Sequence, residues 1–215
     1  MRCLPIDIPA VTTSGEFAQW LENQPEEVGL VTSWRQGVGV VQQPYIEEGA
    51  YVDPRARLIG GIIIKNGCYV GPFAVIRMDE KSDAFPMILD EGSNVQDNAV
   101  VHSDMRRIGK NVIVAHQAIV HGAVVEDEAT LYIQAVVDSG TTIGQGSFLH
   151  QGCYVGKNLT LARRRYVEPG QKILTQQQAD ELPEVPPELQ KLREHVLEQN
   201  HSHTRRYLKL LNSSC

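Results

Sequence analysis

Residues 125–155 read VEDEATLYIQAVVDSGTTIGQGSFLHQGCYV, and a branched apolar residue occupies every sixth place in this stretch. These residues are Val125, Leu131, Val137, Ile143, Leu149 and Val155. A small residue follows most of them four places later, as Ala129 and Ala135 do. A helix has a period of 3.6 and a strand a period of 2, so neither fixes one residue type at every sixth place. The period of six instead predicts short strands that meet at tight corners.

The same repeat extends towards the N-terminus. Its apolar positions are Ile46, Val52, Leu58, Ile64, Val70 and Ile76, then Leu89, Val95 and Val101, then Ile108, Val114 and Val120. Three hexads make one coil, and successive coils stack in parallel about 4.8 Å apart. We therefore predict an all-β fold, a left-handed parallel β-helix of hexapeptide repeats followed by a C-terminal α-helix. The segment RMDEKSDAFPMI, residues 77–88, exceeds the repeat by about one hexad and should loop out of the coil.

The chain divides into three predicted parts. Residues 1–44 contain no hexads and should form an extension that packs on the coil, with GEFAQWLEN as a short helical segment. Residues 45–174 should form the β-helix, which carries the candidate site. Residues 175–215 should form the C-terminal helix and tail, with Thr175 as an N-cap and a break at PEVPPE. We expect His201 and His203 of the tail to lie in a solvated, mobile segment.

Composition limits the classes of function. The formal net charge is -6 and 42% of the residues are hydrophobic, which predicts a substantial core and argues against a nucleic-acid partner or a basic membrane patch. No apolar run approaches the roughly 20 residues that span a bilayer, and the N-terminus does not resemble a signal peptide. The four cysteines form no CxxC pair, so a disulfide framework is not expected and a reducing cytoplasm is the predicted location.

Three histidines lie within the repeat, namely His102, His116 and His121. Aligning one coil on the next places His102 and His121 directly above one another, at about one strand spacing. His116 follows its apolar residue by two places rather than one, so it belongs to a different column. A single chain therefore offers two ligands at one corner and a third elsewhere. A cyclic trimer resolves this geometry, because a neighbouring chain can supply the third histidine.

Three neutral imidazoles leave the fourth position of a tetrahedral metal open to water, as in catalytic sites. The metal would lower the pKa of that water towards ~7 and give hydroxide at neutral pH. Ordinary surface histidines remain an alternative at each position. Gln96, Asp97 and Arg77, with Asp79 and Glu80 behind it, lie near the histidines in the alignment, and such groups often hold the second ring nitrogen of a ligand. For Arg77 and Asp97 an ordinary interface ion pair is an equally good interpretation.

Together these residues resemble the γ-class carbonic anhydrases. The matching motifs are Arg77-x-Asp79-Glu80, SNVQD with Gln96 and Asp97, VVH ending at His102, and AHQAIVHG with His116 and His121. The resemblance covers roughly residues 16–186. It implies a homotrimer with zinc, or iron or cobalt, at each interface, where His102 and His121 come from one subunit and His116 from the next.

The reaction implied by this resemblance is the reversible hydration of carbon dioxide to bicarbonate. By match to the family, Glu80 and Gln96 would orient the metal-bound water, Arg77 would pair with Asp97 across the interface, and Asp79 would support the ligands. Only SDMRR separates His102 from Ile108, where well-studied members carry a long acidic loop with a proton-shuttling glutamate. Two other functions stay open: a non-catalytic or weakly active scaffold of the same fold, and a hexapeptide acyltransferase that uses one histidine as a base.

Overall fold

The computed structural model describes residues 44–78, 86–102 and 107–213, and within these ranges the chain forms 21 short strands and two helices. The first sheet comprises β1 (Tyr45–Ile46), β4 (Ile62–Ile64), β7 (Met87–Leu89), β10 (Arg107–Ile108), β13 (Val124–Val125), β16 (Thr142–Ile143) and β19 (Thr160–Leu161). The second sheet comprises β2 (Tyr51–Val52), β5 (Tyr69–Val70), β8 (Asn94–Val95), β11 (Ile113–Val114), β14 (Thr130–Leu131), β17 (Phe148–Leu149) and β20 (Tyr166–Val167). The third sheet comprises β3 (Arg57–Gly60), β6 (Val75–Met78), β9 (Val100–His102), β12 (Ile119–His121), β15 (Val136–Val137), β18 (Tyr154–Val155) and β21 (Lys172–Ile173).

Each strand pairs in parallel with the strand three places later in the chain, so three consecutive strands make one turn of a coil. The predicted parallel β-helix of hexapeptide repeats with a C-terminal helix is therefore confirmed, and its left-handed sense stays a prediction. Residues 1–43, which include the helical segment predicted at GEFAQWLEN, lie outside the described residues. The loop predicted over residues 77–88 was too long, because Arg77 and Met78 belong to β6 and Met87 and Ile88 belong to β7, where they pair with neighbouring coils; residues 79–85 lie outside the described residues. The three-part division of the chain likewise stays a prediction.

The interior of the coil is filled by the residues that define the repeat. Leu131, Ile143 and Leu149 are fully buried, and so are the small residues Ala129 and Ala135 that face them. Alternation of large and small side chains lets three sheets meet around a narrow axis without voids. The backbone of each coil is hydrogen-bonded to the next, so the stack is a rigid support for side chains on its outer surface.

Two helices follow the last coil. Helix α1 (Gln176–Asp180) begins at Thr175, whose hydroxyl accepts from the Gln178 amide in a complete capping box, so the predicted N-cap is confirmed. Helix α2 (Pro187–Ser213) packs along the outer face of the second sheet. His201 and His203 lie inside this helix, and a ring nitrogen of His201 lies 2.9 Å from the Gly92 carbonyl oxygen. Instead of a mobile tail, the structure has a helix that continues past both histidines and docks on the coil through His201, whereas His203 is exposed, as expected.

Neither helix in the described part of the chain combines the length and apolar character needed to cross a bilayer. The two cysteines that the structure describes, Cys68 and Cys153, are buried free thiols. No disulfide therefore joins these two residues.

A buried carboxylate links three successive coils. Asp90 is 5% exposed and accepts from the Arg107 guanidinium at 2.8 Å and from the Glu91 amide at 2.9 Å. The Lys65 ammonium, 3.6 Å from Oδ1 of Asp90, is a second positive group beside this carboxylate. Burial raises the pKa of Asp90, but the Glu91 amide and the Arg107 side chain outweigh it, so the pKa of this carboxyl is lowered.

We expect Asp90→Asn to lower the free energy of unfolding by about 2 kcal/mol at pH 7, the range for a hydrogen bond to a charged group. A lowered folded-state pKa gives stability that is present above the unfolded value of about 3.9 and is lost as pH falls through the folded value. The difference between variant and wild type should therefore shrink in urea unfolding between pH 5 and pH 3. Glu91→Gln, which removes the exposed partner of Lys110, is the control and should change stability little. A pH-independent difference would contradict the assigned role of Asp90.

Candidate functional site

His102 and His121 lie one above the other on the outer surface of the third sheet. They end strands β9 and β12 and are paired in register, as the column alignment predicted. Their ring centroids are 5.5 Å apart and their planes are inclined by 43°. Two imidazoles on one tetrahedral zinc, with Zn–N near 2.0–2.1 Å, place their centroids about 5 Å apart. The spacing of this pair thus fits two ligands of one metal ion.

A carboxylate orients the ring of His121. Its Nδ1 lies 3.0 Å from Oδ1 of Asp138, the residue one coil further along the same column. Asp138 also accepts from the Ser139 amide at 2.7 Å and from the Tyr154 hydroxyl at 3.1 Å. The hydrogen bond from His121, with those from Ser139 and Tyr154, lowers the pKa of Asp138 to about 2. An ionised Asp138 accepts from Nδ1 of His121, which leaves Nε2 as the ligating atom.

His116 occupies the corner between the second and third sheets, away from the stacked pair. It follows β11 by two residues, and its Nδ1 lies 2.9 Å from Oδ2 of Asp97. The neighbouring Gln96 is buried, and its amide nitrogen donates to Asn94 at 3.0 Å. The third histidine therefore has the same carboxylate support as His121, so its Nε2 is also available as a ligand.

The other predicted site residues that the structure describes divide between the two groups of histidines. Arg77 pairs in register with His102, one coil below it, and is exposed. Asp97 and Gln96 group with His116 instead. Asp79 and Glu80 lie outside the described residues, so their roles stay predictions. Within the described ranges of a single chain, no group of three or more histidine, cysteine or acidic side chains is close enough to hold a metal ion.

A cleft of about 430 Å³ opens beside His116, between the coil and helix α2. The coil contributes Gln96, Asp97, His116 and Tyr132 to its walls. The helix contributes Val196, Asn200, His203 and Tyr207. The sequence alone does not place His203 or Tyr207 beside His116, although the helical spacing of these four residues indicates one face of α2. The hydrogen bond between Asp138 and His121 was also not predicted, although Asp138 follows Val137, which pairs in register with Val120.

Comparison with known proteins agrees with the hexapeptide-repeat fold. The family model described as bacterial transferase hexapeptide (six repeats) matches residues 43–77. The carbonic anhydrase of Methanosarcina thermophila is 32% identical over 197 residues, which cover 80% of this chain and 74% of that protein. The carboxysome assembly protein CcmM of a Nostoc species is 28% identical over 86% of this chain, which spans only 34% of that protein.

Solved structures show the same fold. A hexapeptide transferase family protein from Anaplasma phagocytophilum superposes with a TM-score of 0.56 at 23% identity, covering 76% of this chain and 92% of that one. At this identity the likeness shows the fold alone. The extent of the match to the Methanosarcina enzyme shows more: the chain belongs to the γ-class carbonic anhydrase family of hexapeptide-repeat proteins. This family also includes proteins with names other than carbonic anhydrase, such as CcmM.

Proposed function

We propose that this protein catalyses the reversible hydration of carbon dioxide at a divalent-metal site shared between subunits of a homotrimer. His102 and His121 of one subunit and His116 of the next are the proposed ligands. Zinc is the proposed metal, with iron or cobalt as alternatives, because three imidazoles accept several divalent ions. Besides membership of the family, the arrangement of these side chains supports this function.

The observation that carries the proposal is the carboxylate behind two of the three imidazoles. Asp138 lies 3.0 Å from Nδ1 of His121, and Asp97 lies 2.9 Å from Nδ1 of His116. Metal-binding histidines usually donate their second ring nitrogen to a carboxylate or carbonyl, which fixes the tautomer and the ring orientation. A plain surface histidine requires no such partner. The repetition of this feature at two separate corners supports a common role for them.

The two parts of the proposed site, the stacked pair and His116, lie on different faces of the same β-helix. The third sheet holds the stacked His102 and His121, whereas His116 stands at the corner between the second and third sheets. A rigid coil prevents these groups from converging within one chain. A threefold arrangement of copies would bring the corner of one subunit to the third sheet of its neighbour and complete the set.

A divalent metal, when bound, supplies a Lewis acid that activates water for attack on carbon dioxide. The side chains of this chain would orient the reactants around it. Gln96 is buried and held by Asn94, which keeps its amide group in a fixed position beside the cleft. We assign Gln96 and Glu80 to orientation of the attacking water, Asp79 to support of the ligands, and Arg77 to an ion pair with Asp97 across the interface.

Proton release requires an acceptor open to solvent. The segment between His102 and Ile108 is too short for the acidic loop of well-studied family members. His203 of α2 lies in the same cleft as His116 and Asp97 and is exposed. Imidazole exchanges protons readily near neutral pH. Glu80, His203 and dissolved buffer are therefore the proposed acceptors.

A second candidate function is that of an assembly or scaffold subunit that keeps the metal site with little or no catalysis. The similarity to a carboxysome assembly protein and the short connection after His102 favour it. An acyltransferase is the third candidate, since hexapeptide transferases share the fold. A single catalytic base does not account for the two stacked imidazoles or for the carboxylates behind His121 and His116.

The experiment that tests the proposal measures carbon dioxide hydration by stopped flow and metal content on the same purified sample. We expect about one metal ion per subunit, as three imidazole ligands require, and hydration well above the buffer rate. Metal at this stoichiometry without hydration would favour the scaffold. An acyltransferase would contain almost no metal. Removal of the metal with a chelator should abolish hydration, and addition of zinc or cobalt should restore it.

A further inference from the structure

Phe73 occupies an unfavourable position on the surface of the coil. It lies in the turn between β5 and β6, is 57% exposed and has φ of 59°. The equivalent turns of the next two coils carry Asn98 and Gln117, with φ of 58° and 59°. Asparagine tolerates this left-handed region, whereas a bulky aromatic residue is strained in it. An exposed ring in a left-handed turn is a candidate for contact with another molecule.

Ile59 is a second exposed apolar residue, at 37%, on the neighbouring third sheet. It pairs in register with Arg77, Arg77 pairs with His102, and His102 pairs with His121. We call this vertical series the histidine column. Ile59 stands at its lower end, two coils below His102.

A parallel series runs along the corner between the second and third sheets. Strands β5, β8 and β11 are paired in register, so the residues two places after them, Pro72, Asp97 and His116, lie on consecutive coils. We call this series the corner column. Phe73 adjoins its lower end, and the Arg55 guanidinium lies 5.4 Å from its ring centroid.

Heights along the coil determine which residues of two copies meet. If the threefold axis of the trimer runs parallel to the axis of the β-helix, each residue has the same height along that axis in every copy. Successive coils are about 4.8 Å apart in each copy. A shared metal requires His116 to be level with the gap between His102 and His121 of the next copy. One coil lower, the acidic Asp97 is then level with the gap between the basic Arg77 and His102. Two coils lower, Phe73 is level with the gap between Ile59 and Arg77, within reach of the Ile59 side chain.

We propose that Phe73 of one copy packs against Ile59 of the neighbouring copy, and that this contact sets the register of the interface. The inference rests on the proposed function, because the shared metal site fixes the relative heights. The occupant of the exposed apolar surface is a second copy of this chain. Opposite charges at Asp97 and Arg77, one coil above, favour the same alignment. The contact would cover the part of the Phe73 ring that Arg55 of the same chain leaves exposed.

Disulfide trapping tests the contact directly. Phe73→Cys and Ile59→Cys are combined in a chain where Cys3 and Cys215 are changed to serine, which leaves only the buried Cys68 and Cys153. Diamide oxidises the two thiols of each contact to a disulfide and is itself reduced to the hydrazine. We expect a covalent trimer on a non-reducing gel from the double variant and not from either single variant. A double variant that yields no more covalent trimer than the single variants overturns the proposal.

Sedimentation across a dilution series provides a second readout. Phe73→Asn suits the left-handed turn and so should leave the fold intact while weakening the trimer by about tenfold or more, as loss of an interface anchor does. Ile59→Thr keeps a β-branched residue in β3 and should have a similar effect. Combining the two should weaken the trimer by less than the product of the single effects. Leu174→Thr, an exposed residue after the last coil, is the control and should not change the trimer.

The outcomes separate this inference from the proposed function. A covalent trimer without carbon dioxide hydration supports the contact and overturns the proposed catalysis. Hydration and a stable trimer without disulfide trapping overturn the contact alone. A wild-type chain that stays monomeric at micromolar concentration overturns both. Full multiplicativity of the Phe73→Asn and Ile59→Thr effects would also contradict a direct contact.

Discussion

The His116→Ala variant should lose both its metal and its carbon dioxide hydration while it retains its fold. Loss of a partner behind a metal ligand alone costs 10–100-fold in affinity, so loss of a ligand itself should cost at least about a thousandfold. His116 is 49% exposed, and exposed substitutions usually change stability by no more than about 0.5 kcal/mol. Metal content, measured by mass spectrometry, and the hydration rate, measured by stopped flow, should therefore fall sharply. The midpoint of thermal unfolding should hardly change.

A matched control is available on helix α2. His195 is exposed and lies outside the cleft, so His195→Ala removes an imidazole without touching the proposed site. We expect this variant to keep the metal content and hydration rate of the wild type. The shared site adds a further expectation: mixing His116→Ala subunits with His102→Ala subunits should restore some activity, because mixed trimers contain interfaces with all three ligands. Failure of every mixture to recover activity, with trimers present, would contradict a site shared between subunits.

The Gly144→Ala variant should be strongly destabilised although Gly144 does not adopt a left-handed conformation. A Cβ at this position would lie 2.6 Å from the Leu161 carbonyl oxygen and 2.7 Å from the Arg163 amide, in the backbone of the next coil. That backbone is held in place by the hydrogen bond from Gly144 N to Leu161 O at 3.0 Å. Neither partner can move without separating two coils. Overpacking of this kind costs 1–3 kcal/mol or more, and we expect about 3 kcal/mol here.

Gly152→Ala is the comparison that isolates the cause. Gly152 has φ of 65°, but no atom lies within 4 Å of the position of its missing Cβ. Its substitution should cost only the backbone strain of a left-handed alanine, roughly 1 kcal/mol. Urea unfolding of both variants at one pH gives the two free energies. Equal losses, or a larger loss for Gly152→Ala, would show that coil-to-coil contact at Gly144 is looser than the geometry indicates.

Much of the candidate site follows from the repeat, because the repeat fixes the backbone register. Once hexads are recognised, His102 and His121 must stack, and His116 must lie in another column. The paired register of β9 and β12 confirms the first of these expectations. The same alignment placed Asp138 beyond His121 but did not reveal their hydrogen bond, because side-chain rotamers depend on local packing rather than on period. Asp138 could have been proposed as the partner of His121 on position alone.

Other features depend on contacts between distant segments, which a periodic pattern does not encode. His201 reaches the Gly92 carbonyl across 109 residues, and Tyr207 stacks on Tyr51 with ring centroids 4.8 Å apart. These contacts fix helix α2 on the second sheet. They also bring His203 into the cleft beside His116.

The sequence by itself determined the coil, the order of its strands and the vertical alignment of its histidines. The physical reason is that parallel backbone hydrogen bonding repeats every turn, so spacing along the chain becomes height along the coil. Only the tertiary structure decided which face of the coil the C-terminal helix covers and which carboxylates support His116 and His121. Those outcomes depend on the shapes and rotamers of side chains far apart in the chain, and the repeat constrains neither.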